Sequence, residues 1–262
     1  MIWTILFAVY VLYCIGSSAF QVQRAIPDDT LTYKAIKTSD ISIDKILNLL
    51  FVLLLCISAW WIYDSVYVFN HANLGKVAGY KPDANNAAAL HDLSKDAAAW
   101  ITMYDTTLDY PIMQGDDNAE YLNKDPLGEY SLAGSIFLDS RNSWDFSDPY
   151  SLVYGHHMAN YHMFGVIDKW ESKEFFDNHR NGSLILENGT VYNVEIFAFL
   201  RADASNDEIF VVGDGFSNEQ RVAFTKSMAS IYYEPRNSHL LYLSTCASPL
   251  STERIILACT IE

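Results

Sequence analysis

Leu240-Leu241-Tyr242-Leu243-Ser244-Thr245-Cys246-Ala247-Ser248-Pro249-Leu250-Ser251-Thr252-Glu253-Arg254-Ile255-Ile256-Leu257-Ala258-Cys259-Thr260-Ile261 reads as strand, loop, strand. Leu240 to Thr245 and Ile255 to Ile261 are rich in aliphatic and β-branched residues, which suit a pleated, half-buried surface. Ser248, Pro249 and Ser251 between them are turn formers. Cys246 therefore ends one strand and Arg254 begins the next. A thiol and a permanent cation flank one short connection, an arrangement suited to acyl transfer.

Thiolate is the nucleophilic form of cysteine, and an ordinary thiol near pKa ~8.5 is mostly protonated at neutral pH, so such a site needs a base or cation nearby. Leu152-Val153-Tyr154-Gly155-His156-His157-Met158 supplies a candidate, because an apolar run ends at a glycine and then presents two histidines. Arg254 keeps its charge at any working pH and can stabilise a developing oxyanion, with the backbone N–H of Ala247 as a second donor. Each residue also has a plainer role. A cysteine in an apolar strand is commonly a small core residue, a histidine after a strand a loop residue, and an arginine a surface charge. The coincidence of all three at strand ends is what points to chemistry.

Further short strands are predicted at Trp100–Tyr104, Tyr110–Gln114, Ser135–Leu138, Ser151–Tyr154, Ser183–Glu187, Val191–Leu200 and Glu208–Val212. Many short strands separated by turn signals imply a barrel or sandwich. Asn188-Gly189 is a hairpin signal of the type I′ kind. Ser217 with Gln220 makes a capping box, and Phe224, Met228, Ile231 and Tyr232 then recur on one helical face up to Pro235. Helical pieces are also expected at Met163–Trp170 with Phe175-Phe176, and at Ala87–Ala99.

Tyr154-Gly155-His156, then Met163-Phe164-Gly165, then Leu243-Ser244-Thr245-Cys246 and Arg254 resemble the sortases, the surface transpeptidases of Gram-positive bacteria. Asp109-Tyr110-Pro111-Ile112-Met113-Gln114-Gly115, Tyr121-Leu122-Asn123 and Gly134-Ser135-Ile136-Phe137-Leu138-Asp139-Ser140-Arg141-Asn142 are similar to class B members in the same order. The resemblance covers roughly Ala98 to the C-terminus. It implies a mainly β fold, a closed or nearly closed sortase-like β-barrel with peripheral helices. The helix before the cysteine strand resembles the one that distinguishes class B from class A.

The resemblance also implies roles. Cys246 would attack the threonine carbonyl of an LPXTG-like sorting signal and form a thioacyl intermediate. His156 would protonate the leaving amine and later deprotonate the incoming one, and Arg254 would hold substrate and oxyanion. Histidine directly after the glycine selects His156 over His157. Tyr154 and Ala247 are the expected substrate-binding residues. The implied partners are sorting-signal-bearing surface proteins or pilins, with a peptidoglycan-precursor amine or a pilin lysine as nucleophile. Ile101-Thr102-Met103-Tyr104-Asp105 and Tyr130-Ser131-Leu132 resemble pilus-associated members. The mechanism needs thiolate and imidazolium together, a minor charge state at neutral pH. An alternative is a membrane-tethered barrel that binds peptide without turnover, with Cys246 and His156 structural.

The chain of 262 residues carries 17 Lys and Arg against 32 Asp and Glu, for a net charge of -15. Up to Asn70 four basic residues nearly balance five acidic ones, so the acidity lies in the remainder and argues against nucleic-acid partners. Met1 to Gln23 and Ile46 to Tyr63 are charge-free and apolar, each long enough to span a membrane. Segment 1–23 is read as a transmembrane helix, 24–45 as a cytoplasmic loop carrying Arg24, Lys34, Lys37 and Lys45, and 46–69 as a second transmembrane helix. A linker and N-terminal helix at 70–97 would follow, then the catalytic barrel at 98–262 on the extracellular face of the cell membrane. A cleaved signal peptide ending at Ser17-Ser18-Ala19 is the competing reading of the first segment.

Among the cysteines, Cys14 and Cys56 fall in the apolar segments, and Cys259 reads as core. A Cys246–Cys259 disulfide would remove the nucleophile and nothing in the spacing recommends it. No cofactor or metal is expected: His156, His157 and His162 lack zinc-site companions, and Asp116-Asp117 and Asp203 with Asp207 lack EF-hand spacing. The Ser-His-Gly-Cys pattern of L,D-transpeptidases is missing, and histidine precedes cysteine, opposite to papain-like proteases.

Overall fold

The computed structural model describes residues 31–71, 75, 77–82, 89–158, 161–213, 215–246 and 252–262, with side chains at all of these except 32–42, 44, 67–71 and 246. The chain divides into two compact units, Met1–Val66 and Tyr67–Glu262.

Helix α1 runs Leu31–His71. Its stretch Lys45–Val66, 22 residues of mean hydropathy 2.2, is long and apolar enough to cross a membrane. At 1.5 Å per residue it reaches about 33 Å, close to the ~30 Å hydrocarbon core. The helix starts well before this apolar run, so residues 31–45, expected to form a connecting loop, are helical. No glycine or proline interrupts Leu31 to Lys45, and extending a formed helix costs far less than starting one. The expected span at 1–23 lies outside the described residues.

After the short helix α2 (Ala89–Leu93) come β1 (Ala97–Met103), β2 (Asp109–Met113), β3 (Ile136–Leu138) and β4 (Tyr150–Tyr154). A 3-10 segment at Phe164–Glu171 and helix α3 (Lys173–Asn178) lead into β5 (Asn181–Leu186) and β6 (Val191–Asp203). Helices α4 (Asp207–Phe210) and α5 (Asn218–Met228) precede β7 (Ala229–Tyr232), β8 (Leu240–Cys246) and β9 (Glu253–Ile261).

The strands order as β5-β1-β2-β3-β4-β8-β9-β6, and β5 pairs back onto β6, closing an eight-stranded barrel with β7 added outside the ring. Closure removes the sheet edges that would otherwise invite association. The 13-residue β6 makes this possible. Residues 191–195 pair with β5, residues 198–200 pair with β7, and residues 194–203 pair with β9 on the other edge. Inward side chains, among them Ile101, Ile112, Leu138, Val153, Leu243 and Leu257, fill the barrel. Alternate residues of the same strands, such as Leu152, Tyr242 and Ile256, form a second core on the opposite face, against which Val222 and Phe224 of α5 pack. Arg221 is buried there over the Tyr150 ring at 3.9 Å and donates to the carbonyls of Glu208 and Val211.

The capping box at Ser217 and Gln220 forms as expected. The helix it starts, however, stops at Met228 rather than continuing through Tyr232. Met228 is exposed, while Ile231 and Tyr232 pair with Phe199 and Ala198. β6 outruns β5, so its free edge recruits these two β-favouring residues away from the helix. Glu208–Val212, expected as a strand, is instead the one-turn helix α4 with Ile209 buried. A run so short with one buried residue fits either period. Among the described residues the expected Ala87–Ala99 helix comprises only α2, and Ala97, Ala98 and Ala99 are fully buried in β1. Pairing with β2 and β5 and full burial override alanine's helix preference there. The Asn188-Gly189 hairpin forms, but Gly189 alone has positive φ, 84°, and its N–H donates to Leu186 at 2.9 Å. It is a three-residue loop with a glycine bulge, not a type I′ turn.

Candidate active site

Backbone register brings the three strand-end residues together. β4 and β8 are parallel neighbours with Tyr154 opposite Ser244, and the Gly155 N–H extends the pairing to the Ser244 carbonyl at 3.1 Å. His156 lies two residues beyond Tyr154, and Cys246 two residues beyond Ser244. They leave adjacent strands at the same end and level. β8 pairs antiparallel with β9, where Cys246 is the partner of Arg254. Cys246 thus ends the central strand of three, with Arg254 as its ladder partner on β9 and His156 just past the end of β4 on the other side.

Tyr154, His156 and Arg254 line one cleft of about 310 Å³ together with Asn118, Leu122, Phe137, Gly155, Ser244 and Thr245. Ala247, the expected second oxyanion donor, lies outside the described residues. The hydroxyls of Ser244 and Thr245 are buried and have no hydrogen-bond partner among the described residues.

The two histidines separate in role. His156 Nε2 donates to the Leu122 carbonyl at 3.0 Å, since a carbonyl can only accept; in the neutral ring Nδ1 is then the basic atom. His157 Nε2 instead pairs with Asp168 Oδ2 at 2.8 Å. That hydrogen bond braces the loop, which is also held by the Phe164 N–H on the His156 carbonyl at 3.1 Å and by a bridge between His157 and Met163. Tyr161 and Met163 both have positive φ, 60° and 50°, strain concentrated in the segment that carries the imidazole.

A Cβ at Gly165 would fall on the Met158 backbone, and one at Gly155 would lie 2.6 Å from the Phe164 ring. The backbone cannot yield as a side chain can. Gly165→Ala is therefore expected to destabilise the barrel unit by about 2 kcal/mol or more, lowering Tm by roughly 4–10 °C. Scanning calorimetry checks this; an unchanged Tm would mean that the loop relaxes freely.

Behind Tyr154 sits a fully buried carboxylate. Asp139 Oδ2 accepts from Arg141 Nη2 at 2.7 Å, Asn118 Nδ2 at 3.0 Å and the Tyr154 hydroxyl at 3.0 Å. Its Oδ1 accepts from Arg141 Nε at 2.8 Å and the Arg141 N–H at 3.0 Å. Burial pushes this carboxyl up, but the bonds from Arg141 and Asn118 outweigh it and hold it below the usual carboxylate range. Burial and the adjacent Asp139 raise the Tyr154 phenol, keeping it neutral. With its folded value depressed, Asp139 contributes stability that is present above the ordinary value of ~3.9 and is lost as pH falls through the lower folded value. Tm should therefore drop more steeply in the wild type than in Asp139→Asn between about pH 5 and pH 2. Parallel Tm profiles would contradict this.

Cys259 is buried in the core, where burial raises its thiol. It opposes Leu241, five positions along the ladder from the Cys246 pair. That is about 17 Å, far beyond disulfide reach.

No family model matches the chain. Sortase B of Listeria monocytogenes is 44% identical over 110 residues, 42% of this chain and 44% of that relative, so the match spans under half of its length. Sortase B of Staphylococcus aureus is 29% identical over 185 residues, 66% of this chain and 73% of that one. The crystal structure of a Streptococcus pyogenes class B sortase involved in pilus biogenesis matches with TM-score 0.61 and 38% identity, covering 66% of this chain and 96% of that one. The chain belongs to the class B sortases. Sortases are cysteine transpeptidases, and the barrel and peripheral helices are those of the family.

In this sortase the cleft contains residues that strand-end reasoning passed over. Asn118 and Leu122 come from the connection between β2 and β3, and Phe137 from β3 itself. The quoted stretches Tyr121-Leu122-Asn123 and Gly134 to Asn142 contain Leu122, Phe137 and Asp139, but nothing in their spacing assigns them a place beside Tyr154. Asn118 sits in an acidic loop that reads as solvated.

Proposed function

We propose that this sortase cleaves an LPXTG-like sorting signal through a thioacyl-enzyme intermediate. The observation that supports the reading is the backbone register that ends the Cys246 strand between the strands leading to His156 and Arg254, in a family of cysteine transpeptidases. The Cys246 thiolate attacks the threonine carbonyl carbon, forming the S–C bond, and the carbonyl electrons move onto oxygen beside Arg254. The C–N bond then breaks as imidazolium His156 gives its proton to the departing amine. In the second half an amine attacks the thioester, His156 takes its proton, and the thiolate leaves.

Lys45–Val66 serves as the membrane anchor, ahead of a linker at 70–97 and the catalytic domain at 98–262. The basic residues Arg24, Lys34, Lys37 and Lys45 stay cytoplasmic and the barrel works on the extracellular face. The acyl donors are surface proteins or pilins, and the acceptor is a peptidoglycan-precursor amine or a pilin lysine. A relative involved in pilus biogenesis favours the pilin side.

The test uses the full chain in detergent with a sorting-signal peptide and, separately, with peptide and a primary amine. A protein mass increased by the acyl fragment, then peptide coupled to the amine, is expected. Binding without the adduct would favour the non-catalytic barrel.

A further inference from the structure

We propose that Asp139 is a positioning residue for peptide binding, its carboxylate locking the Tyr154 phenol and the Asn118 carboxamide into one rigid wall of the cleft. The kinetic part of this proposal rests on the sortase reading. Both controlled side chains line the cleft while Asp139 does not, and its side chain has no exposed surface. All of its acceptor capacity is used: five bonds reach two oxygens, from Arg141, Asn118 and Tyr154. With no lone pair left for substrate, it can act only through its partners. Asn118 is locked at both ends, because its Oδ1 accepts the Ser140 N–H at 2.8 Å while its Nδ2 donates to Asp139. The hub itself is anchored at its backbone. The Asp139 N–H donates to Leu152 at 2.8 Å, and its carbonyl accepts from Gln114 Nε2 at 3.0 Å.

A neutral side chain cannot replace it. Asparagine offers one acceptor oxygen and would turn its NH₂ toward the Arg141 guanidinium, so either the arginine or the wall residues lose their partner. Arg141 also donates to the Phe210 carbonyl at 3.0 Å, tying this wall to α4. Preorganised contacts of this kind help binding by removing ordering costs on association.

The test is a double-mutant cycle with sorting-signal peptide hydrolysis as readout. Asp139→Asn is expected to lower kcat/KM about 10- to 100-fold, mostly through KM, and to lower it less than threefold further once Tyr154→Phe and Asn118→Ala are present. Equal losses in both backgrounds, or an unchanged KM, would overturn the proposal. Should Asp139→Asn fail to fold, Tyr154→Phe and Asn118→Ala leave the Asp139–Arg141 pair intact. Their KM effects are then expected to be non-additive, and strict additivity would sink the shared wall. A second readout needs no substrate: the ¹³Cζ resonance of Tyr154 followed against pH, with Tyr154→Phe for assignment. In Asp139→Asn the phenol should ionise at clearly lower pH than in the wild type, and an unmoved titration would overturn the proposal even if no peptide is turned over. The expected shift in Asp139→Asn together with a wild type that cleaves no peptide would reject the sortase chemistry alone.

Discussion

Cys246→Ala is expected to abolish both cleavage and aminolysis of a sorting-signal peptide, a loss of at least about a thousandfold. The magnitude follows from the nature of the step. Without sulfur there is no thioester, and water or amine must attack an unactivated amide whose leaving group is poor. The rest of the cleft lining, Tyr154 and Asn118 included, is untouched, so peptide affinity is expected to survive. The variant should keep the wild-type Tm within about 1 °C, because a small apolar residue at a strand end adds no buried polar group. Loss of turnover with retained peptide binding, by fluorescence anisotropy, therefore separates chemistry from fold. Turnover within tenfold of the wild type would remove Cys246 from the mechanism.

Arg254→Met is expected to lower kcat by about 10²–10³ with a smaller change in KM, the usual cost of deleting one oxyanion donor. Arg254 is the partner of Cys246 across the β8–β9 ladder, on the side opposite the β4 strand that leads to His156. Arg254→Lys separates charge from shape. A lysine keeps the cation but loses the planar fork, so it should recover only part of the rate, with about tenfold or more still missing. Full rescue by lysine would mean that a point charge suffices. No effect of either variant on kcat, measured in single-turnover acylation, would reduce Arg254 to a rim charge. The acylation half is the informative one, because the oxyanion develops there before any amine acceptor is needed.

Both expectations draw on features of different legibility. The strand ending at Cys246, the one starting at Arg254 and the run ending at His156 were readable because β-branched and aliphatic stretches flanked by turn residues carry their own signal. The capping box at Ser217 was readable for the same reason: reciprocal bonds between residues three apart need no tertiary partner. The C-terminal limit of that helix was not. Ile231 and Tyr232 satisfy a helical face and a strand equally, and the exposed edge of β6 decided between them. The buried Ala97 to Ala99 went the same way, from helix formers by propensity to barrel strand by packing.

The cleft divides along the same line. Residue types and motif order singled out His156, Cys246, Arg254 and Tyr154 as candidates, and pointed to the family, because the reactivity of a thiol, an imidazole and a guanidinium belongs to the side chain. Only the fold put them at one level, through a parallel β4–β8 pair and an antiparallel β8–β9 pair whose registers depend on residues spread from Ala97 to Ile261. Only the fold, too, brought Asp139 and Asn118 behind Tyr154. A hydrogen-bonded wall assembled from three loops and strands leaves no local period in the chain, since hydrogen bonds between distant residues are set by where barrel closure puts them.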